Sequence, residues 1–240
     1  MEDKALANLE IAISDKVLTS YPGLTISGLV VKGIDRTADQ SEELERYLNR
    51  TVDEHENTDS PLAKSEIQSW RSVYSEMGVK PSKVLCSFES LYKRVSKGKK
   101  VFGINKLVDA YNAVSLRHCL CMGGYDLDNI TGSISLRYGR KGEEMLPIGG
   151  DKPIQIDEKV VAYSDATSIL CVYWNHRDAD HTQITNKTKN VVFFVDQIQG
   201  GDNRAELALT DLSKLISRFS KNDVAIDFFS LDKQKPMYQL

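Results

Sequence analysis

The stretch INKLVDAYNAVSLRHCLCMGGYDLDNITGSISLRYG, residues 104–139, changes its hydrophobic period near residue 120. Before that point the apolar side chains recur as on one face of a helix, which we predict from about Asn105 to Ser115. The members of that face are Leu107, Val108, Tyr111 and Val114. Beyond it the period is two, as in a half-buried strand, and Ser133–Tyr138 is the first such strand. The stretch therefore predicts an α+β fold, with helices packed on a mixed or antiparallel sheet core.

Helical patterns precede this stretch and strand patterns dominate after it. Upstream we predict a helix between Ser60 and Gly78, because Ser60 and Pro61 suit its first turn and Gly78 its end. A second upstream helix is predicted from Ser87. Downstream we predict strands over 159–163, 169–174, 191–195 and 224–229, and a helix over 203–219. Nearer the N-terminus we predict strands over 9–13 and 24–31, followed by an acidic helix within 35–59. In the middle of the chain, Gly123-Gly124 is interpreted as a turn.

The composition is that of an ordinary globular protein. The chain has 240 residues, of which 41% are hydrophobic and 27% charged, and its net charge is −3. These values exclude wholesale disorder and a generally basic nucleic-acid coat, but they permit a local basic patch. No apolar run approaches the ~18–20 residues of a membrane span, and the first residues lack the features of a secretory signal. We therefore expect a cytoplasmic protein without a membrane partner.

Short motifs of known chemistry are incomplete or absent from the sequence. The four cysteines form no CxxC pair, and His176 and His181 fall in a predicted loop, so we expect reduced thiols, no metal site and no cofactor. His176-Arg177-Asp178 matches a kinase triplet, but the glycine-rich loop, the strand lysine and the Asp-Phe-Gly that accompany it are absent. Ser115 and His118 are neighbours on one helix, whereas the members of a catalytic triad converge from different elements.

One segment inverts the charge of the chain. Between Lys80 and Lys106 there are eight basic residues and a single acid, Glu89. If RNA binds, we expect its phosphates to contact this segment, because the rest of the chain is acidic on balance. The expected contact residues are Lys93, Arg94, Lys97, Lys99 and Lys100. No DNA partner is expected.

Four motifs follow one another along the chain: Ile104–Ser115, Gly124–Gly132, Leu136-Arg137 and Lys141-Gly142-Glu143. In their residues, order and spacing they resemble the B3/B4 editing domain of the phenylalanyl-tRNA synthetase beta chain. Freestanding proteins built from this domain share further motifs, which here read Trp70-Arg71 with Tyr74, Gly78–Lys83, Ser87–Leu91, Trp174–Arg177 and Thr185–Thr188. The resemblance covers roughly residues 70–200 and implies the same α+β fold. We predict a single domain over residues 1–240, with the strands and acidic helix of residues 1–60 as an extension.

The resemblance implies a site that hydrolyses the ester of a mischarged aminoacyl-tRNA without a covalent nucleophile. Such a site orients water and the terminal ribose, and it stabilises the developing oxyanion. The implied catalytic residues are Asn112, Asn175, Arg177 and Thr188. The implied substrate-binding residues are Glu89, Tyr111, Gly123, Gly124, Asp126 and Trp174.

The sequence departs from the family pattern at four positions. The threonine that precedes the family's asparagine is Tyr111 here, and the editing histidine falls on Gly123. The family's glutamate falls near Phe194, with Asp196 two residues further on. The small pair that admits the substrate falls on or near Trp174-Asn175. Two polar groups of the family's site are thus replaced, and a bulky aromatic residue stands where the family has a small one.

Three functions stay open on the sequence. They are a freestanding aminoacyl-tRNA deacylase acting in trans, a non-catalytic module that binds RNA or an amino-acid-like ligand, and another small-molecule enzyme on the same scaffold. A complete aminoacyl-tRNA ligase is excluded, because the remaining residues hold no class II synthetase motif. The first function predicts that Asn112, Gly123-Gly124, Trp174-Asn175 and Thr188 converge in space. The amino acid, the tRNA and the oligomeric state do not follow from the sequence.

Overall fold

Two main β-sheets form the centre of the structure, a computed structural model that describes residues 9–35, 41–55 and 64–240. The helices are α1 (Asp15–Ser20), α2 (Ser41–His55), α3 (Ser65–Glu76), α4 (Ser87–Val95), α5 (Lys106–His118) and α6 (Arg204–Phe219). The first strands are β1 (Glu10–Ile13), β2 (Thr25–Lys32), β3 (Cys121–Asp126), β4 (Ile134–Tyr138), β5 (Glu144–Met145) and β6 (Ile154–Gln155). The later strands are β7 (Val161–Ser164), β8 (Ile169–Val172), β9 (Arg177–Asp178), β10 (Val191–Gln197), β11 (Ala225–Leu231) and β12 (Met237–Gln239).

Both main sheets are largely antiparallel. Sheet A has the strand order β12-β1-β4-β7-β8-β9, in which β1 and β4 run parallel and the other pairs antiparallel. Sheet B has the order β11-β2-β10-β3 and is antiparallel throughout. Strands β5 and β6 form a separate pair. This combination of a mixed sheet, an antiparallel sheet and packed helices confirms the predicted α+β class.

Strand β10 lies between two hydrophobic cores. Val192 and Phe194 belong to the core that sheet B shares with sheet A and with helices α3 and α4. Val191, Phe193 and Val195 belong to the core on the other face of sheet B, which is covered by α5 and α6. Every residue of β10 is buried, and its first five residues form a continuous apolar run instead of an alternating pattern, before Asp196 and Gln197. Because both faces of sheet B are covered, any polar group on β10 is removed from water.

Helix α5 begins where its sequence predicts. The Asn105 side chain accepts a hydrogen bond from the Val108 backbone N–H at 3.0 Å, which satisfies one of the donors that the helix start leaves unpaired. The helix continues past the predicted end at Ser115 and stops at Cys119, whose φ is 55°. Among the helices that the structure describes, none is both long and apolar enough to cross a membrane.

The interpretation of Gly123-Gly124 as a turn is wrong. Both residues lie inside β3, where they pair with Phe194 and Phe193 of β10. Glycine is a poor strand former by propensity, but a strand position also depends on the neighbour that packs across it. At Gly124 that neighbour is the Phe193 ring, which leaves no room for a side chain. The local sequence contains no trace of this contact.

Other element boundaries also differ from the prediction. The strand predicted over 169–174 ends at Val172, and Tyr173 and Trp174 form a turn instead. Helix α3 begins at Ser65, whereas the predicted start at Ser60 and Pro61 lies outside the described residues. The short helix α1 and the strand β12 were not anticipated. Both are too short to show a hydrophobic period.

Candidate functional site

A small cavity lies between the two main sheets and the start of helix α4. Its volume is about 50 Å³. It is lined by Ser87, Met122, Gly123, Tyr125, Tyr163, Cys171, Trp174, Asn175, His176, Asp178, Phe194 and Asp196, and we call it the polar cavity. A space of this size holds a water molecule or a methyl-sized group, whereas pockets for whole small ligands typically occupy about 300–1,000 Å³.

Asp196 is the centre of a buried hydrogen-bond network in the polar cavity. Asp196 is 3% exposed, and its carboxyl group accepts hydrogen bonds from the Tyr163 hydroxyl at 2.6 Å and, more weakly, from Asn175 Nδ2 at 3.5 Å. Asn175 Oδ1 accepts in turn from the Tyr74 hydroxyl at 2.7 Å. Burial raises the pKa of Asp196 to about 6, against the lowering effect of the hydrogen bonds from Tyr163 and Asn175. Near neutral pH this carboxyl can therefore accept or release a proton.

A second carboxyl group, that of Asp178 on β9, lines the same cavity. Burial raises the pKa of Asp178 to about 6 as well, while its contact with Cys171 has the opposite effect. Burial also raises the pKa of Cys171 well above its usual value, so this thiol stays protonated at neutral pH. His176 donates from Nδ1 to the Leu85 carbonyl at 2.8 Å, and burial lowers its pKa, so its ring is neutral at pH 7. The described part of the chain contains no group of three or more metal-ligating side chains placed to hold a metal ion.

The turn after β8 holds Trp174 against the polar cavity. Tyr173 and Trp174 have φ values of 52° and 69°, in the left-handed region that costs non-glycine residues roughly 1–2 kcal/mol each. The Trp174 backbone N–H donates to the Val161 carbonyl at 2.7 Å, which fixes the turn to sheet A. The buried indole packs edge-on against Tyr21 and Trp70, with ring centroids 5.1 and 5.2 Å away. The indole thus forms one wall of the cavity and limits its size.

The two glycines of β3 face different surroundings, so we expect their substitution by alanine to affect stability to different extents. A Cβ atom on Gly123 would meet no atom within 4 Å, because this residue lines the polar cavity. A Cβ atom on Gly124 would lie 2.7 Å from the Phe193 ring and 3.0 Å from the Val192 carbonyl oxygen. We expect Gly124→Ala to lower the free energy of unfolding by about 1–3 kcal/mol, and Gly123→Ala to change it by less than ~0.5 kcal/mol. Chemical denaturation of both variants measures this contrast, and equal losses would contradict the assignment of Gly123 to the cavity wall.

Three of the residues predicted for the site lie together. Gly123, Trp174 and Asn175 all line the polar cavity. Asn112 is buried on helix α5, at 8% exposure, and it is not among the lining residues. Tyr111, next to it, packs on the Phe193 ring with centroids 5.7 Å apart, on the face of sheet B that carries α5. The geometry therefore gives Asn175 a direct place in the cavity, while the roles of Asn112 and Tyr111 remain predictions from the resemblance.

Thr188 and Asp126 bind each other away from the polar cavity. The Thr188 hydroxyl donates to Asp126 Oδ2 at 2.6 Å and accepts from the Thr185 backbone N–H at 2.9 Å. The other Asp126 oxygen accepts from the Asp128 backbone N–H at 3.1 Å. These bonds fasten the turn of residues 185–188 to the end of β3. Arg177, the fourth predicted catalytic residue, has an exposed side chain on β9.

Glu89 and part of the basic segment form an ion-pair cluster. The buried Glu89 carboxylate accepts from Arg71 at 3.1 and 2.5 Å and pairs with Lys93 at 2.7 Å, which ties α4 to α3. Lys93 is therefore held in an ion pair, although its side chain is 32% exposed. Arg94 donates to the Lys100 carbonyl at 2.9 Å and closes the turn after α4. The remaining predicted RNA contacts, Lys97, Lys99 and Lys100, are exposed.

Sequence reasoning gave no site role to Asp178, Tyr74 or Tyr163. It noted Asp196 only as a residue two positions beyond Phe194, near which the family's glutamate falls. One signal was available for Asp196, since it is the only charged residue of β10. A carboxyl group in a strand whose residues are all buried needs buried partners. Those partners, Tyr163 and Asn175, lie on other segments, so their identity could not be read from the strand itself.

The chain belongs to the B3/4 domain family, whose model matches residues 69–226. It is similar to the phenylalanine–tRNA ligase beta subunit of Fusobacterium nucleatum subsp. nucleatum, with 34% identity over 90 residues, and to that of Ralstonia nicotianae, with 32% over 88 residues. Each match covers 37% of this chain and 11% of the relative, so this chain corresponds to a small part of those subunits. Among solved structures, an N-terminal fragment of the phenylalanyl-tRNA synthetase beta-subunit from Pyrococcus horikoshii aligns with a TM-score of 0.46 and 13% identity, over 92% of this chain and 53% of that one. The family match confirms the resemblance found in the sequence.

Proposed function

We propose that this protein hydrolyses the ester of mischarged aminoacyl-tRNA in trans, in the cytoplasm, and that the polar cavity is the reaction site. The observation that carries the proposal is the buried Asp196 carboxyl, held by Tyr163 and Asn175 beside a space of about 50 Å³ that fits a water molecule. Family membership supports an RNA substrate, because the relatives are named as subunits of a tRNA ligase.

The proposed reaction uses the two carboxyl groups of the cavity as base and acid. Ionised Asp196 removes a proton from water as the water oxygen bonds to the ester carbonyl carbon. The Ser87 hydroxyl, which is buried and has no hydrogen-bond partner among the described residues, donates to the resulting oxyanion. When the intermediate collapses, the bond from carbon to the ribose oxygen breaks, and protonated Asp178 supplies the proton that this oxygen takes. The products are a free amino acid and an uncharged tRNA.

The size of the polar cavity restricts the amino acid. The Trp174 indole and the Phe194 ring wall a space that is too small for an aromatic side chain. Since the space holds only a water molecule or a methyl-sized group, we propose that the ester lies at the mouth of the cavity and that the preferred esters carry small side chains, such as those of glycine, alanine or serine. Tyrosine and phenylalanine esters are expected to be poor substrates.

A panel of aminoacyl-tRNAs incubated with the purified protein tests this function. We expect glycyl-, alanyl- or seryl-tRNA to lose its amino acid faster than in buffer, while tyrosyl- and phenylalanyl-tRNA decay at the buffer rate. If the protein hydrolyses none of these aminoacyl-tRNAs, the deacylase proposal is rejected. The small cavity would then favour the alternative, a non-catalytic RNA-binding module whose interior is simply well packed.

Asn175→Ala is expected to slow hydrolysis by about 10²–10³-fold while changing the affinity for tRNA by less than about twofold. The reason is that Asn175 contacts Asp196 inside the cavity, whereas tRNA affinity comes mainly from phosphate contacts at the surface. Single-turnover deacylation and tRNA titration of the same preparation measure the two quantities. A similar loss of rate is expected for Asn112→Ala if the role implied by the resemblance holds. Equal losses of rate and affinity in Asn175→Ala would instead indicate a damaged fold.

A further inference from the structure

A cleft rich in lysine lies beside the turn that Thr188 fastens to β3. Its volume is about 490 Å³. It is lined by Ile34, Asp35, Lys106, Asn186, Lys187, Thr188 and Lys189, and we call it the lysine cleft. The lysines come from two distant segments, at residue 106 and at residues 187–189. Among the described lining residues, the one carboxylate is that of Asp35. None of these lysines belongs to the residues from Lys93 to Lys100 that the sequence predicted for RNA.

The backbone that carries these lysines is held rigidly. Besides the bond from Thr188 to Asp126, Asn105 Nδ2 donates to the Ile184 carbonyl at 3.0 Å and ties the turn to the start of α5. The Lys189 carbonyl accepts from the Ile34 backbone N–H at 2.9 Å, which ties the turn to the segment after β2. A charged surface on fixed backbone pays less ordering entropy on binding than one on a mobile loop.

The chemistry of the cleft fits phosphate groups. Lys187 and Lys189 have exposed side chains, and within residues 9–35, 41–55 and 64–240 neither forms an ion pair. The described lining contains no aromatic ring on which a nucleobase could stack. Lysine acts as a point charge toward phosphate without requiring a planar partner. The cleft therefore suits a chain of phosphodiesters better than a base or an apolar ligand.

The lysine cleft and the polar cavity are both next to strand β3. Asp126, which anchors Thr188, ends the same strand on which Gly123 lines the cavity. Three residues of extended strand advance roughly 10 Å and reverse the face of the sheet, so Asp126 and the cavity lie on opposite faces of β3. Since β3 is the last strand of sheet B, a polynucleotide held in the cleft would pass around this edge to bring its terminal sugar to the cavity.

We propose that the lysine cleft binds the phosphodiester backbone of an RNA whose acylated end reaches the polar cavity. This inference rests on the proposed function for the direction of the RNA, and on the charge and geometry of the cleft for its location. Lys187 and Lys189 are the contact residues, and Thr188 is a positioning residue that holds the turn between them.

The affinity for uncharged tRNA, measured as a function of salt concentration, tests RNA binding in the cleft independently of ester hydrolysis. We compare Lys187→Ala/Lys189→Ala with the control Lys97→Ala/Lys99→Ala, which removes the same charge from the segment favoured by the sequence. Losing two phosphate contacts lowers the slope of log affinity against log salt by about 1.4 and weakens binding roughly 20-fold at ~0.1 M salt. We expect this loss in the cleft variant, a smaller one in the control, and recovery of the slope in Lys187→Arg/Lys189→Arg.

The possible outcomes separate the cleft from the deacylase. Three outcomes would overturn the proposal that the cleft binds RNA. They are an unchanged slope of log affinity against log salt in the cleft variant, an equal loss of slope in the control variant, and no tRNA binding by the wild type. The proposal would also be overturned if inorganic phosphate at millimolar concentration competed as effectively as tRNA. The cleft would then be a site for a free anion. The expected slopes together with no hydrolysis in the aminoacyl-tRNA panel would support the cleft and reject only the deacylase.

Discussion

Asp196→Asn is expected to abolish most of the hydrolysis, with a loss of about 10²–10⁴-fold in the single-turnover rate. The asparagine keeps the size of the side chain and can still accept from Tyr163, but it cannot take a proton from water. Because the reaction needs ionised Asp196 and protonated Asp178, and burial raises the pKa of both to about 6, the wild-type rate is expected to rise with pH, pass through a maximum near pH 6 and fall above it. The residual rate of the variant should lack this rise. A wild-type profile that is flat between pH 5 and pH 8 would exclude Asp196 as the base.

The stability of the same variant checks the charge on Asp196 independently of any substrate. The pKa is 3.8 for an ordinary aspartate and about 6 in the folded protein, so the stabilising contribution is fully present below about pH 4 and is lost as the pH rises through 6. Between pH 4 and pH 7 the unfolding free energy of the wild type should therefore fall by roughly 3 kcal/mol relative to Asp196→Asn. Asp178 titrates over the same range in both proteins and cancels in this difference. A difference that does not vary with pH would show that Asp196 keeps one protonation state.

Trp174→Gly is expected to enlarge the polar cavity and admit aromatic esters. Removing the indole opens the wall toward Tyr21 and Trp70, so tyrosyl-tRNA should be hydrolysed about tenfold faster than by the wild type, or more. The cost in stability should be about 2–4 kcal/mol. A buried Trp→Ala change typically costs about 3–5 kcal/mol, and glycine at a φ of 69° recovers roughly 1 kcal/mol of backbone strain. Rates on glycyl- and tyrosyl-tRNA, measured well below the melting temperature, give the change in preference.

Trp174→Phe is the matched control for this experiment. It keeps an aromatic ring in the wall and keeps a side chain at a positive φ, so the preference for small esters should persist. If Trp174→Gly stays folded and still rejects tyrosyl-tRNA, the indole does not set the substrate size. The proposed link between cavity volume and substrate would then be wrong, although the deacylase itself could stand.

Helices and strands with clear local signals were predictable from the sequence. The cap at Asn105 and the apolar face of α5 depend on residues within a few positions of one another, as does the apolar run of β10. Helix α6 was expected over 203–219 and is observed over Arg204–Phe219 for the same reason. The α+β class followed from the order of these elements. The family was also recognisable, because its motifs are short segments in a fixed order.

The sequence by itself determined the longer helices, most of the longer strands, the fold class and the family, because periodicity, capping and motif spacing are local properties of the chain. The tertiary structure alone decided the chemistry of the cavity. Tyr74 and Asn175 are 101 positions apart and meet through one hydrogen bond. Gly123 faces open space while Gly124 is covered, although both are glycines in one strand. The pKa of Asp196 rises because segments distant in sequence remove water from around it, and no local pattern records which segments those are.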